Sequence, residues 1–378
     1  MRKALERIEP YSPGKPIEEV QRELGIREVI KLASNENPLG PSPKAIEAAL
    51  SALRRVSFYP DSRGHDLKDA IARRYGLSPE NVCLGNGADE IIRMLAEAFL
   101  EEGDIVLSVE PTFTQYKFAA DLMGQSYMSV PLIDMQFDID GLKDAITSRT
   151  KLIFISNPNN PTGSILRGDQ LATLISFIPE TALLVLDEAY ADYVTDKDFQ
   201  SGSRYVGPAS AAPNVVVVRT FSKLYGLAGL RVGYCLGHSR IIAALERVRS
   251  PFNVNLVAQA AAIAALDDHE HVERTIALNE SGKSFLYREF ERLGLDYVPT
   301  EANFILVRLG ARAREVCQHL LRVGVIIRSA HIFGLNEYAR ITIGTAGENK
   351  RLVSALEDVL PAVYGGNRRE WQSLKNAL

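Results

Sequence analysis

Apolar and polar positions follow two different rhythms along this chain. From about residue 43 onward, short apolar runs at Ile105–Val109, Leu152–Ser156, Ala182–Leu186 and Val215–Arg219 alternate with longer stretches of helical periodicity. Runs of that length without polar alternation read as strands covered on both faces, in a mostly parallel sheet between helices. Ligands of such sheets bind beyond the carboxyl ends of the strands, so the polar residues that close these runs are where chemistry is expected. The two ends of the chain read differently. Pro10–Pro16 has turn chemistry, Ile17–Leu24 is a short amphipathic helix, and KLASNENPLGPSP is extended. A helical stretch from about 255 to 290 leads to further strands at 303–307, 324–328 and 339–344 and a last helix near Lys350–Leu360. The expected organisation is a large unit, residues 30–275, and a smaller α/β unit formed by residues 1–29 and 276–378.

Composition narrows the class without naming a function. Hydrophobic residues make up 46% and charged residues 24%, with a formal net charge of -4. That balance suggests neither nucleic acid nor an anionic membrane surface as a partner. Cys83, Cys235 and Cys317 lie far apart with no CxxC spacing, which argues against a zinc site or a disulfide framework and reads as packing thiols in a reducing compartment. The N-terminus reaches charged and proline-rich sequence before any run of signal-peptide length, and no stretch approaches the ~18 apolar residues of a membrane helix. A cytoplasmic protein with no metal site is expected.

The most specific stretch is VVVRTFSKLYGLAGLRVGY. The apolar run ends in Thr220, Ser222 and Lys223, with Arg231 eight residues further on. A lone loop lysine is ordinarily a solvated charge. Here it follows two hydroxyl residues at a strand end and is flanked by glycines. A lysine forms a Schiff base readily when desolvation or nearby positive charge lowers its pKa, and the hydroxyls with Arg231 suit a phosphate. The segment resembles the cofactor-lysine motif of fold-type-I pyridoxal-phosphate enzymes, S/T-x-S-K-x-x-G-x-x-G-x-R-x-G. It differs only at Tyr225 and Ala228, which remove no reactive group. The resemblance implies a large domain with a seven-stranded sheet, a smaller α/β domain, and pyridoxal 5'-phosphate on Lys223.

Further motifs recur in the order that this family has them. In LLVLDEAYADY the resemblance implies that Asp187 pairs with the cofactor's protonated ring nitrogen and that Tyr190 bonds its ring oxygen. A buried carboxylate raises the pKa of that nitrogen and keeps the ring an electron sink. Glu188 and Asp192 read as structural. In ISNPNNPTG, Asn160 matches the residue that donates to the ring hydroxyl, and Asn157 reads as a turn residue. In LGNGADEII, Gly87, Ala88 and Asp89 open a helix and match the phosphate cradle. Phe113 of PTFTQY matches the aromatic that stacks on the ring.

The segments EPYSPGKPIEEV, LASNENPLG, FYPDSRG, GVIIRS and YARITIG together most resemble the histidinol-phosphate aminotransferases. That resemblance implies amino transfer between L-histidinol phosphate and 2-oxoglutarate in histidine biosynthesis. It also implies substrate contacts from Tyr11 and Asn37, a carboxylate-binding Arg340 and a phosphate-binding Arg328. Arginine forks suit both anions. Tyr59 matches a residue that reaches the neighbouring subunit's cofactor, so a homodimer with shared sites is expected. Two enzyme alternatives stay open: an aromatic amino acid aminotransferase and a phosphothreonine-decarboxylase-like lyase. A regulator with an aminotransferase-like sensor domain would need a DNA-binding segment, for which there is no room before the first cofactor motif.

Overall fold

A computed structural model describes residues 3–8, 14–207, 210 and 212–365. The strands among the described residues are β1 (Ile30–Leu32), β2 (Val82–Gly85), β3 (Ile105–Glu110), β4 (Ser126–Pro131), β5 (Thr150–Ser156), β6 (Leu183–Asp187), β7 (Val215–Thr220), β8 (Gly233–Gly237), β9 (Tyr297–Val298), β10 (Phe304–Arg308), β11 (Val325–Ser329) and β12 (Tyr338–Thr342). They form a seven-stranded sheet in the order β2-β8-β7-β6-β5-β3-β4 and a five-stranded sheet in the order β1-β11-β12-β10-β9. In the larger sheet β7, β6, β5, β3 and β4 run parallel, and β8 runs antiparallel to both its neighbours, β2 and β7.

The unbroken apolar runs are explained by the two cores they fill. Val215, Val217, Leu184, Leu186, Ile153 and Ile155 pack into one core. Their alternates Val216, Val218, Leu183, Val185, Leu152 and Phe154 pack into another. Because neither face meets water, a polar residue inside a strand needs a buried partner, as Ser108 has in the Phe154 carbonyl and Arg219 in Glu188, and the other polar residues come where a strand ends. That rule places Ser156, Asp187 and Thr220 at adjacent carboxyl ends.

The five-stranded sheet has its own core of Leu32, Ile305, Val307, Ile327 and Ile341 against Leu352, Leu356 and Leu360 of the helix Ala346–Tyr364. Ile30–Leu32, set by the sequence reading at the start of the large unit, pairs here in parallel with β11, with Leu32 opposite Ile327. The helix Ile17–Leu24 forms as the pattern predicts, beginning after Pro16 and closing on Gly25 at φ 68°. The stretch at 255–290 is two helices, Leu256–Leu266 and His269–Leu293. Strands β2, β4, β8 and β9 carry too weak a pattern to be read: β4 alternates in exposure, β8 (GYCLG) begins and ends in glycine, and β9 has two residues. Among the described residues no helix is long and apolar enough to cross a membrane.

Candidate active site

A cavity of about 280 Å³ lies where the carboxyl ends of the larger sheet face the smaller one. Lys223 reaches it from the turn after β7, partly exposed toward the cavity, with Nζ donating to the Ser34 carbonyl at 3.0 Å. Burial, helped by the nearby Arg340 guanidinium, pulls its pKa down to about 8. Across the cavity, Asp187 ends β6 and is buried. Its carboxylate accepts from the Tyr116 hydroxyl at 2.8 Å and the Ala189 N–H at 3.2 Å. Burial outweighs these bonds and pushes its pKa up to about 6. Tyr190 follows three residues later, and the Lys223 ammonium lies 5.7 Å from its ring centroid.

One end of the cavity is a cradle of donors. The helix Ala88–Phe99 starts there after Gly87, whose φ of 79° and missing side chain leave the first-turn N–H groups without a side-chain cap. Thr220 Oγ1 donates to Ser222 Oγ at 2.9 Å, and Arg231 Nη1 donates to the same Ser222 oxygen at 3.5 Å. Arg231 Nη2 pairs with the Asp89 carboxylate at 3.1 Å. A Cβ on Gly87 would push that guanidinium aside, and the φ of 79° by itself calls for glycine there. Ala88, Asp89, Thr220, Ser222 and Arg231 all line the cavity. Gly87, the residue before the helix, is not among the lining residues.

Phe113 covers one side of the cavity and meets Tyr116 edge-on at 5.7 Å. Asn160 enters from the turn after β5. Its Oδ1 accepts from Arg340 Nη1 at 2.6 Å, which leaves its amide N–H groups to donate. Arg340 is buried, also donates to the Ala33 carbonyl at 2.7 Å, and lies 5.4 Å over the Phe304 ring. It sits directly opposite Arg328 on the neighbouring strand, and both arginines line the cavity.

Two expected residues lie elsewhere, and a third falls outside the described residues. Asn37 is turned away from the cavity: its Nδ2 donates to the Leu224 carbonyl at 2.7 Å and its Oδ1 accepts the Leu39 N–H at 2.9 Å. With both ends of the amide used inside the protein, it contributes to the turn rather than to a ligand. The NEN segment lines the cavity with Asn35 and Glu36 instead. Tyr59 is 81% exposed and stacks on Phe252 with centroids 4.5 Å apart, outside its own chain's cavity. Tyr11 lies outside the described residues, though Gly14 just beyond it lines the cavity. Sequence reasoning missed Tyr116 and Asn35. Tyr116 looks like one more apolar-face residue of a helix, while its hydroxyl finds Asp187 from 71 positions away. Asn35 carried a local signal, since its repeat in NEN could have been weighed against Asn37.

The family model for aminotransferases of class I and II matches residues 27–356. A histidinol-phosphate aminotransferase of Moorella thermoacetica is 51% identical over 95% of this chain and 92% of its own length. One from Symbiobacterium thermophilum is 45% identical over 95% of this chain and 98% of its own. The crystal structure of histidinol-phosphate aminotransferase from Sinorhizobium meliloti in complex with pyridoxal-5'-phosphate superposes with a TM-score of 0.89 at 29% identity, covering 96% of this chain and 98% of that one. With a lysine, an aspartate and two arginines gathered at the strand ends, and with these relatives spanning nearly its whole length, the chain belongs to the class I and II aminotransferase family, among the histidinol-phosphate aminotransferases.

Proposed function

We propose that this chain is a cytoplasmic, pyridoxal-phosphate-dependent transaminase exchanging an amino group between L-histidinol phosphate and 2-oxoglutarate. The observation that carries the reading is the arginine pair, Arg328 opposite Arg340, facing the same cavity as Lys223. Guanidinium forks opening on one cavity suit anionic groups, and this substrate pair presents a phosphate in one half-reaction and a carboxylate in the other.

The residues fit pyridoxal phosphate. The cradle at the start of the helix Ala88–Phe99 brings uncapped N–H groups together with the hydroxyls of Thr220 and Ser222 and the Arg231 guanidinium, a donor set that suits a phosphate. Ala88, Asp89, Thr220, Ser222 and Arg231 would hold the phosphate, with Gly87 contributing backbone alone. Lys223 would take the aldehyde, Phe113 the ring face, Asn160 and Tyr190 the ring hydroxyl, and Asp187 the ring nitrogen. When bound, the cofactor supplies an electron sink for the substrate's α-carbon. Asp187, ionised above about pH 6, holds a proton at the ring nitrogen. Lys223, whose pKa is pulled down to about 8, would take the substrate's α-proton and return it. Arg340 keeps Asn160 aligned while seating the substrate's anionic group.

Removing an ionic partner from a desolvated site costs about 2–5 kcal/mol, or roughly 30- to 5,000-fold in kcat/KM. Arg328→Ala is expected to lose that much with histidinol phosphate and far less with phenylalanine, whereas Arg340→Ala should also impair the glutamate half-reaction. Steady-state kinetics on both substrates decides the matter. Equal losses for Arg328→Ala would remove the case for a phosphorylated substrate.

The same reading includes a homodimer with shared sites. Ile46, Leu50 and Leu53, one stripe of the helix Pro43–Leu53, are exposed together with Val56, Phe58 and Tyr59. A contiguous apolar patch of this kind suits a second copy of the chain. Tyr59 on that patch would then reach the neighbour's cofactor phosphate. Co-refolding inactive Lys223→Ala with inactive Tyr59→Ala chains should restore about a quarter of wild-type activity, since half the dimers are mixed and each holds one intact site. Recovery no greater than the average of the two separate variants would show that the tyrosine serves no neighbour.

A further inference from the structure

Asn35 stands in the cavity wall, one residue past the Ser34 carbonyl that accepts from Lys223. It is 1% exposed and holds a left-handed backbone at φ 56°, which asparagine tolerates better than most residues. Its partners in the smaller sheet fix it firmly. Its backbone N–H donates to Thr342 Oγ1 at 2.9 Å, that hydroxyl donates to Asn35 Oδ1 at 3.2 Å, and Asn303 Nδ2 donates to the Asn35 carbonyl at 3.0 Å. Thr342 closes β12 and Asn303 immediately precedes β10. The remaining group, Asn35 Nδ2, donates to Tyr190 Oη at 3.0 Å. Tyr190 belongs to the other body of the molecule, just beyond β6.

A phenol has one proton to give. Since an N–H from Asn35 is already directed at the Tyr190 oxygen, the tyrosine's own proton must point away from Asn35, and the cavity is the side on which Tyr190 is open. We propose that Asn35 is a positioning residue that turns Tyr190 into a donor toward the ring oxygen of the cofactor, so that the smaller sheet, through Thr342 and Asn303, sets the direction of that proton. The proposal rests on the cofactor reading above. It extends that reading to a residue which neither the lysine motif nor the aspartate motif contains. Burial raises the Tyr190 pKa, with Arg340 and Asn35 opposing it, so the phenol has a proton to give near neutral pH.

The test is the absorbance of the bound cofactor against pH, in wild type, Tyr190→Phe, Asn35→Asp, Asn35→Gly and the Tyr190→Phe/Asn35→Asp pair. A donor at the ring oxygen stabilises the cofactor form that has lost a proton, so its loss raises the titration midpoint. Asn35→Asp offers Tyr190 an acceptor and draws its proton away. It and Tyr190→Phe are each expected to raise the midpoint by about one to two pH units, the worth of one hydrogen bond to a charged group. The double variant should go no higher than Tyr190→Phe alone. Asn35→Gly keeps the positive φ but leaves the Tyr190 proton undirected, so its midpoint should also rise, by about half a unit and less than in Asn35→Asp, and no rise there would show that Asn35 directs nothing. An unmoved midpoint in Asn35→Asp overturns the proposal. So do additive shifts in the double variant, which would show a plain charge effect, or equal shifts in Asn35→Gly and Asn35→Asp, which would show only lost structure. A chromophore on wild-type Lys223 keeps the cofactor reading standing whatever the variants do, and its absence from wild type defeats both.

Discussion

Lys223→Ala is expected to lower kcat/KM by about 10⁴-fold, because on the proposed reading one side chain would supply both the covalent anchor and the proton shuttle. The variant should nevertheless bind pyridoxal phosphate. The cradle at the helix Ala88–Phe99, Arg231 and Asp187 do not depend on the lysine for their positions, being held by backbone geometry and by Ser222, Asp89 and Tyr116. Borohydride treatment should fix the cofactor to the Lys223 peptide of the wild type and to no peptide of the variant. A label on another lysine would overturn the assignment. The pH dependence follows from the depressed pKa. Attachment needs the neutral amine, so the rate at which cofactor-free protein acquires its chromophore should fall about tenfold per pH unit below about 8 and level off above it. An unperturbed lysine would keep gaining to above about pH 10.

Asp187→Asn should separate stability from catalysis. The folded pKa of about 6 lies above the ordinary value of 3.8, so the folded state binds the extra proton between those two values. The stabilisation from protonation is therefore complete below about pH 4 and is lost as pH rises through about 6. Above that, the cofactor-free fold carries an ionised buried carboxylate costing on the order of 3 kcal/mol. Asparagine keeps an acceptor for the Tyr116 hydroxyl and removes the charge. Cofactor-free Asp187→Asn should accordingly melt about 3–4 °C higher than wild type at about pH 8, with the difference vanishing near pH 4. Its kcat/KM should fall by about 10²–10³-fold, because an amide cannot hold the proton on the ring nitrogen. Equal melting temperatures at that alkaline pH, or retained activity, would count against an ionised Asp187 as the group at that nitrogen.

Much of the larger sheet and its site was legible because the information is local. A strand covered on both faces stays largely apolar until it ends, so TFSK after Val215–Val218 and DEAY after Leu183–Leu186 announce both a strand end and the chemistry placed there. The same locality made Gly87, Ala88 and Asp89 recognisable as a helix start, and it made Asn160 recognisable beside its proline. The short or edge strands β4, β8 and β9 were not legible, because a strand that alternates, is bounded by glycine or has two residues leaves no distinct pattern.

What the sequence determined by itself was which polar groups close the strands and gather at the cavity: Lys223, Asp187 and Arg231, with Arg328 and Arg340 from the smaller sheet, each of them the basis of a role proposed above. What only the tertiary structure decided was how those groups are aimed. Pairing of β11 with β12 sets Arg328 against Arg340, a buried phenol from Tyr116 orients Asp187, and Asn35 rather than Asn37 turns into the cavity. Each of these depends on contacts between residues far apart in the chain, as Asn35 and Thr342 are at 307 positions. A local pattern fixes which face of its own strand or turn a side chain leaves from, but the partner that satisfies a buried polar group is chosen only when two sheets close on each other.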